Sequence, residues 1–407
     1  MQKAYLNMNK VNSQILYISI DGIMEPLGYS QVLKYIEKLS KDYSINLITF
    51  EKEADLKNTA KLNKLIKKCK DQNIHWYRHK YNNGKFGLSQ IINIFNLIAV
   101  PVFIFIKKRI AIVHIRSYMP GIVIPILRTF FKFNLIFDMR GFWADEKHDR
   151  LNWNKKSYKY IFFKRLEKYL IDNSQKIITL TEASKDIMIQ NFNAPNSLIE
   201  VIPTCVDFNE FHRVENVRRN NSLTIGYLGS IDTAYDFSKF SLLISQLPSN
   251  FKNKIHLKVL TNKTLQEVTK FIPEGTLSKI KLEVKFAQRG DLSKEISSFD
   301  FLGFYLKENF SINASMPTKI GESLACGVPI ICNSFNSDIR NIIEMHDVGI
   351  IYDFKNTLSE HQIKKLFQIL EEKTVHQRCL KIANEYFSLE KGAATYNDLY
   401  FELISKY

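Results

Sequence analysis

The sequence predicts an α/β protein made of two successive Rossmann-like domains, each with a parallel β-sheet. Three observations predict this class. Short apolar runs alternate with amphipathic helical segments, the alternation restarts near residue 206, and 407 residues are enough for two or three hydrophobic cores. Hydrophobic residues make up 45% and charged residues 24% of the chain, as in ordinary globular proteins.

The first half begins with a continuous apolar run at 15–20, which is typical of a strand buried on both faces. A helix with one apolar face is predicted next, over about 29–41. Further strands are predicted at 45–50, 74–77, 111–115, 135–139 and 176–180. Ligands of such sheets bind beyond the carboxyl ends of the strands, so the loops at 21–30, 116–120 and 140–149 are candidate binding loops.

The second half repeats this pattern after a polar segment at 209–221. Strands are predicted at 223–228, 255–260, 280–286, 299–304, 329–332 and 349–351, and helices at 358–373, 375–387 and 389–407. We therefore expect a first domain at 1–205, a second at 206–385, and a C-terminal helix at 386–407 that packs back on the first domain.

A short predicted helix before the strand at 329–332 carries the strongest candidate site. Pro317 can begin this helix because its missing N–H falls where helices have unsatisfied donors, and Ser315 and Thr318 are candidate caps. Lys319 and Glu322 share one face of its first turns. Together with the positive end of the helix they suit a ligand that has a diphosphate and sugar hydroxyls. The alternative is an amphipathic helix with an exposed Lys–Glu pair.

Charge and missing motifs narrow the function. The formal net charge of +16 favours acidic partners such as phosphorylated substrates or anionic lipid. No helix-turn-helix, zinc-finger or RNA-recognition signature is present, which disfavours nucleic acid. The sequence also lacks a P-loop, a Gly-x-Gly-x-x-Gly after the first strand and a Gly-x-Ser-x-Gly elbow. This argues against P-loop NTPases, nicotinamide dehydrogenases and α/β-hydrolases.

The expected compartment is the cytoplasm. The five cysteines are scattered without a Cys-x-x-Cys pair, so neither a disulfide framework nor a zinc site is indicated. The N-terminus, Met1–Asn7, lacks the apolar core of a signal peptide. The longest apolar stretch, 91–106, is shorter than the ~20 residues of a spanning helix.

Two apolar helices, predicted at 88–106 and 121–133, allow a membrane-surface hypothesis. Basic residues lie beside them, namely Lys107, Lys108, Arg109 and Arg128. Attachment to a membrane surface needs an apolar face plus cations for anionic lipid. Buried core helices explain the same pattern and are the preferred interpretation from sequence.

The segment Pro-Thr-Lys-Ile-Gly-Glu-Ser-Leu-Ala-Cys-Gly-Val-Pro at 317–329 resembles the donor-binding motif of family 4 retaining glycosyltransferases, which have the GT-B fold. Five further segments resemble landmarks of a bacterial branch of that family, in the same order: 21–33, 137–146, 179–184, 201–207 and 226–230. The resemblance covers nearly the whole chain. It implies two Rossmann-like domains whose parallel sheets face each other across a cleft.

By this resemblance the second domain binds a nucleotide-sugar donor. Glu322 would accept hydrogen bonds from the ribose hydroxyls, and Lys319 with amides near Thr318 would neutralise the diphosphate. Gly28 and Tyr29 would bring backbone amides to the same diphosphate, although Gly28 can equally be a turn residue before a helix. The remaining donor-site positions are Gly229, Ser230, Arg289, Ser315, Pro317 and Ile320.

The chain departs from the family pattern at several positions. A glutamate that many members carry eight residues before Glu322 is Ala314 here, and the usual arginine after the first strand of the second domain is Ser230. Its lysine partner has no clear match, since Lys239 comes late. Arg289 is a candidate for supplying the missing charge, with a surface role as the alternative.

In the first domain, Arg140 replaces a histidine that many members carry near the anomeric carbon, and it can hold a diphosphate or a carboxylated sugar. We assign catalytic roles to Arg140, Asp138, Lys319 and Glu322. The acceptor-binding candidates are Asp21, Ser30, Arg116, Trp143, Asp145 and Glu146. His114, in an apolar strand, is expected to be a core histidine.

The implied function is retaining transfer of a sugar from a nucleotide donor, UDP-sugar ahead of GDP-sugar, to a glycan or lipid-linked glycan. The setting would be bacterial O-antigen or capsule synthesis, in the cytoplasm or peripherally on the inner face of the membrane. No metal and no cofactor beyond the nucleotide-sugar are expected. The alternatives are a GT-B phosphorylase or epimerase, and a catalytically degenerate binding subunit.

Overall fold

A computed structural model describes residues 13–82, 88–215, 223–231, 233–247, 255–352 and 358–406. The chain divides into two compact units. The N-terminal unit comprises Met1–Ile202 and Leu389–Tyr407, and the C-terminal unit comprises Pro203–Ser388. The final helix thus belongs to the N-terminal unit. The N-terminal heptapeptide and part of the polar segment at 209–221 lie outside the described residues.

The N-terminal unit contains a seven-stranded parallel sheet of order β3-β2-β1-β4-β5-β6-β7. Its strands are β1 Gln14–Ser19, β2 Ser44–Glu51, β3 Ile74–Lys80, β4 Ile110–Arg116, β5 Asn134–Asp138, β6 Lys176–Thr179 and β7 Ile199–Val201. Strands β2 and β4 are buried at every position because helices cover both faces of the sheet. The strand order reverses between β1 and β4, and this is where an open α/β sheet binds its ligand.

Helix α1 follows β1 and has three consecutive segments, Pro26–Gly28, Tyr29–Leu33 and Lys34–Leu39, of which the middle one is π-helical. The other helices of the unit are α2 Glu53–Leu56, α3 Thr59–Asp71, α4 Leu88–Lys107, α5 Ile124–Phe130, α6 Trp143–Leu151, α7 Tyr158–Asn173, α8 Glu182–Phe192 and α17 Leu389–Ser405. The helix predicted at 121–133 is shorter than expected. A 3₁₀ turn, Met119–Val123, precedes α5.

Helix α17 closes the N-terminal unit against its own sheet. His114 in β4 is fully buried, and its Nδ1 lies 2.7 Å from the hydroxyl of Tyr400. Tyr396 packs edge-on against Tyr35 of α1, and an ion pair joins Lys38 to Glu390. His114 is therefore the core histidine that its apolar strand predicts.

The C-terminal unit contains a six-stranded parallel sheet of order β10-β9-β8-β11-β12-β13. Its strands are β8 Thr224–Leu228, β9 Ile255–Leu260, β10 Ile280–Lys285, β11 Phe301–Gly303, β12 Ile330–Cys332 and β13 Gly349–Ile351. Its helices are α9 Phe237–Gln246, α10 Leu265–Thr269, α11 Glu274–Leu277, α12 Leu292–Ser297, α13 Thr318–Ala325, α14 Ser337–Met345, α15 Glu360–Glu371 and α16 Val375–Tyr386. Here the order reverses between β8 and β11.

Candidate functional site

The loop before α13 is held in place by backbone-directed hydrogen bonds. The Asn336 amide donates to the carbonyl of Ser315 at 2.8 Å, and the Thr204 hydroxyl donates to the carbonyl of Met316 at 2.8 Å. Behind the loop, Gly321 lets α13 pack closely, since a Cβ there would lie 2.7 Å from Cγ2 of Val206. The start of α13 is thus fixed by residues distant in sequence.

The prediction that Ser315 or Thr318 caps α13 is wrong. Pro317 itself is the N-cap residue, and no described side chain caps the helix, so neither Ser315 nor Thr318 takes that role. Pro317 has no N–H and no capping oxygen, so the first turn keeps donors that a cap would have satisfied. The amide of Ile320 already donates to the carbonyl of Pro317 at 3.1 Å. The side chain of Ile320 is buried in the core.

Lys319 lies buried at this helix start, only 5% exposed. Among the described residues its Nζ has no hydrogen-bond partner. Its ammonium lies against aromatic faces instead, with Nζ 3.5 Å from the ring centroid of Tyr235, 4.8 Å from that of Tyr227 and 5.2 Å from that of Phe304. The exposed Lys–Glu pair considered from sequence is therefore ruled out for Lys319.

Burial shifts the titration of both charged residues on α13. It lowers the pKa of Lys319 to about 7, and the attraction of Glu322 offsets only part of that effect. Burial also raises the pKa of Glu322 to about 7, against the opposing charges of Arg289 and Lys319. The pair therefore titrates near neutrality, as buried groups that await a charged or polar partner do.

Arg289 is already engaged in an ion pair. Its Nε donates to Oε2 of Glu210 at 2.8 Å, and its Nη2 lies 2.7 Å from the same oxygen. Its charge still reaches Glu322, whose pKa it lowers. Arg289 thus belongs to the surroundings of Glu322, with its charge largely balanced by Glu210.

The turn after β8 comes close to Lys319. Gly229 has φ +112°, a left-handed value that favours glycine, and a Cβ on it would lie 3.6 Å from Nζ of Lys319. Ser230 is exposed, and its hydroxyl lies 2.9 Å from that of Thr233. Lys239 lies farther along and donates to the hydroxyl of Tyr305 at 3.3 Å. The ends of β8 and β11 and the start of α13 thus converge at the point of strand reversal.

In the N-terminal unit, Asp138 at the end of β5 is the centre of a buried charge cluster. Its Oδ2 lies 3.2 Å from Nη1 of Arg116, 3.3 Å from the hydroxyl of Tyr396 and 3.9 Å from Nε2 of His114. Its Oδ1 lies 3.7 Å from Nη1 of Arg140. Burial by itself raises the pKa of Asp138, but these partners outweigh it and lower the pKa to about 2.

Strained backbone surrounds this cluster. Arg140 has φ +61° and Ser117 has φ +66°, both left-handed values that cost energy for residues other than glycine. The amide of Ser117 donates to the carbonyl of Asp138 at 2.8 Å, so the loops after β4 and β5 hold each other. Such strain concentrates at functional sites.

The other acceptor candidates have different surroundings. Asp21 is half exposed and lies 3.3 Å from Nε of Arg116. Asp145 is buried and accepts from the Tyr160 hydroxyl at 2.6 Å and from Lys164 at 3.0 Å. Asp138 and Asp145 are buried and engaged by other side chains of the N-terminal unit, and their role as base or acceptor contact stays a prediction. Asp21 stays accessible.

Three acceptor candidates lie on helices. Glu146 pairs with Arg150 at 2.7 Å on α6, and the Trp143 ring lies 4.4 Å from that of Phe163 and is partly exposed. The Ser30 hydroxyl donates to the carbonyl of Pro26 at 3.0 Å. The Trp143 ring also has Tyr118 and Trp153 beside it, and Lys147 Nζ lies 5.1 Å from its centroid.

Glu51 is a site residue that sequence reasoning missed. Its buried carboxylate accepts from the amides of Ile23 at 2.9 Å and Met24 at 3.0 Å, and so shapes the loop after β1. Gly28 is not a turn residue, since it is helical and a Cβ there would lie 2.0 Å from the carbonyl oxygen of Gly22. The signal that could have identified Glu51 was its position as a glutamate at the end of an apolar strand. The ring of Tyr29 is covered by Lys34 and Lys68.

Residues 42–210 match the family model described as Glycosyltransferase Family 4. No curated protein matches the sequence. Among solved structures, sucrose-phosphate synthase from Thermosynechococcus elongatus is similar with a TM-score of 0.70 at 12% identity, covering 97% of this chain and 100% of its own. HepE from Anabaena, solved with UDP and glucose, has a TM-score of 0.66 at 14% identity, covering 95% and 98%.

WaaG, a glycosyltransferase involved in lipopolysaccharide biosynthesis, is similar with a TM-score of 0.63 at 11% identity, covering 93% of this chain and 98% of its own. At such identities these likenesses establish the fold, and the family match supplies the class of enzyme. The resemblance deduced from the motifs is thereby confirmed. This chain is a glycosyltransferase that matches family 4 over residues 42–210 and has the fold of its GT-B structural neighbours.

Proposed function

We propose that this enzyme transfers a sugar, with retention, from a UDP-sugar to a glycan or lipid-linked glycan in bacterial surface-polysaccharide synthesis. The main support for this proposal is the position of Lys319. Its ammonium is buried at a helix start that no side chain caps, and it has no hydrogen-bond partner in the described chain. Such a cation is electrostatically incomplete, and the diphosphate of a nucleotide-sugar supplies the matching charge. HepE, a structural neighbour, was solved with UDP and with UDP-glucose, which supports a UDP-sugar as the donor.

Lys319 and the amides of α13 would stabilise the diphosphate as it leaves, which is where negative charge develops in the transition state. Glu322, three residues on, would accept from the ribose hydroxyls, and its pKa of about 7 would fall once it holds them. With the positive charge supplied by the protein itself, we propose that transfer needs no metal ion. Attack from the front face would be assisted by the departing diphosphate. GDP-sugar remains the second choice of donor.

The degenerate binding subunit remains the alternative, motivated by Ala314 and Ser230. A thermal-shift and hydrolysis panel with UDP-, GDP- and ADP-sugars tests the proposal on the purified protein. We expect stabilisation and slow hydrolysis with a UDP-sugar, and loss of both in Glu322→Gln. Stabilisation without any turnover, even with acceptor glycans, would favour the binding subunit. If no nucleotide-sugar stabilises the protein, the donor assignment is wrong.

A further inference from the structure

Helix α4 is apolar on both of its sides. Leu97 and Ile104 are buried against the unit. The opposite side carries Ile92, Phe95, Ala99, Phe103 and Ile106, whose spacing of three or four residues places them in one stripe. Phe95 is 66%, Phe103 48% and Ile106 73% exposed. A surface helix normally turns polar residues outward, so this stripe needs an apolar partner.

The stripe is part of a larger apolar face. From residue 92 to residue 106 it is about 21 Å long at 1.5 Å per residue. Beside it, Phe130 of α5 is 72% exposed. A groove of ≈ 660 Å³ between α4 and the edge strand β3 is lined by Trp76, Phe95 and Phe103, among others. The preferred expectation from sequence, that these are core helices, is therefore wrong for the outward side of α4.

Positive charge borders this face. The two grooves at this face are lined by five cations, namely Arg78, Lys107, Lys108, Arg109 and Lys132. Lys107 Nζ lies 4.2 Å from the ring centroid of Phe103. A second groove, of ≈ 390 Å³, brings Ile106 and Phe130 together with Arg109 and Lys132. Cations thus lie next to the most exposed apolar side chains.

We propose that the stripe of α4, with Phe130 and the cations beside it, docks this enzyme on an anionic bilayer surface. The apolar side chains would enter the boundary between headgroups and acyl chains, and the lysines and arginines would meet lipid phosphates. In the described part of the chain no helix is both long and apolar enough to cross a bilayer, so the face rests on the membrane.

Charge favours a bilayer over a second copy of the chain. In a two-fold symmetric dimer the same patch occurs on both subunits, so the cations at this face would lie near their own copies. No aspartate or glutamate among the described residues lines either groove, so that contact would bring like charges together. An anionic lipid surface matches both the apolar stripe and the charge around it.

This inference deepens the proposed function, because a lipid-linked acceptor would be presented at the surface on which the enzyme docks. The two claims fail separately. Vesicle binding is measured without a donor, and donor binding is measured without vesicles.

The test is co-sedimentation of the full chain with phosphatidylcholine vesicles, with and without phosphatidylglycerol, at low and high salt. We expect binding only to the anionic vesicles and weakening by salt. Phe95→Ser/Ile106→Ser should reduce the partition coefficient at least tenfold. Lys107→Glu/Lys132→Glu should reduce it comparably at low salt.

Matched controls come from the C-terminal unit. Phe286 and Met345 are 72% and 75% exposed, and Lys270 and Lys279 are exposed cations. Phe286→Ser/Met345→Ser and Lys270→Glu/Lys279→Glu should bind vesicles like the unaltered chain. Unchanged donor-induced stabilisation shows that each variant is folded.

Three results overturn the proposal: no binding of the unaltered chain to anionic vesicles, equal binding by the α4 variants and their controls, or a dimer in light scattering that Phe95→Ser/Ile106→Ser dissociates. The third result would assign this face to self-association. If the apolar double variant fails to fold, the charge-reversal pair and the salt dependence decide the question.

Discussion

The two units differ in the partners that they provide for a buried charge. In the C-terminal unit, Lys319 is buried against aromatic rings without a hydrogen-bond partner in the described chain, and its pKa is lowered to about 7. In the N-terminal unit, Asp138 is equally buried but faces Arg116, Arg140, His114 and Tyr396, and its pKa is lowered to about 2. Lys319 thus has no oppositely charged hydrogen-bond partner, whereas Asp138 accepts hydrogen bonds at Oδ2 from Arg116 and Tyr396, and only its Oδ1 accepts none in the described chain.

This difference suggests a structural role for Asp138 and a ligand-binding role for Lys319. Asp138 has its partners within its own unit, so it holds the ends of β4 and β5 together whether or not a ligand is bound. Lys319 has aromatic faces around its ammonium but no anion or hydrogen-bond acceptor in the described chain, so its desolvation is offset only in part. An incomplete buried cation is therefore the better guide to a ligand site than a rich cluster of charges.

The largest effect should follow from removing the carboxylate at the centre of the Asp138 cluster. Asp138→Ala leaves Arg116 and Arg140 near each other without their shared carboxylate, and we expect the free energy of unfolding to fall by about 3–5 kcal/mol. Urea denaturation measures this, with Asp186→Ala on the exposed side of α8 as the control. A loss below about 1 kcal/mol would show that the cluster is not structural.

The next largest effect concerns UDP binding by Lys319. Lys319→Met keeps the length and apolar packing of the side chain but removes the cation. We expect UDP affinity in calorimetry to fall about 100-fold, or about 2.8 kcal/mol, because a desolvated contact between charges is lost. Lys279→Met, at an exposed position of the same unit, should leave the affinity unchanged. An affinity within about twofold of the original would exclude Lys319 from the donor site.

The pH dependence of UDP binding should report the same group. Because the pKa of unliganded Lys319 is about 7 and a bound diphosphate raises it, binding takes up a proton above pH 7. The sign is therefore a decrease of affinity as pH rises from 7 towards 9, by up to about tenfold per pH unit. Calorimetry in buffers of different ionisation enthalpy measures the proton uptake. The decrease should disappear in Lys319→Met, where Glu322, whose pKa falls from about 7 on binding, leaves only a slope of opposite sign below about pH 7. A decrease of affinity above pH 7 that persists in this variant would belong to another group.

The smallest effect is a gain in stability. Without a nucleotide, Lys319→Met should raise the free energy of unfolding at pH 6 by about 1 kcal/mol, since an uncompensated buried cation is replaced by an apolar side chain. At pH 6 most of the lysine is protonated in both states, so the penalty is present. It should shrink as pH rises through about 7, where the folded protein releases the proton. A loss of stability on this substitution would mean that Lys319 is satisfied in the folded chain.

Much of the fold could be predicted because strands and helices depend on local patterns. Apolar runs marked the buried parallel strands, and the segment from Pro317 placed α13 correctly. The caps could not be predicted, since the carbonyl of Ser315 is held by Asn336, which precedes another helix and is 21 residues away in sequence. Glu51 was missed for a similar reason, because the amides that it binds are 27 and 28 residues away in sequence.

By itself the sequence determined the alternation of strands and helices, the order of the family motifs, and the placement of Lys319 and Glu322 at a helix start. Tertiary structure alone decided that Lys319 is buried against Tyr235 and close to Gly229, that Asp138 pairs with Arg116, and which side of α4 is exposed. The physical reason is that burial and electrostatics depend on distances between residues far apart in the chain, whereas helix and strand periodicity depends on near neighbours.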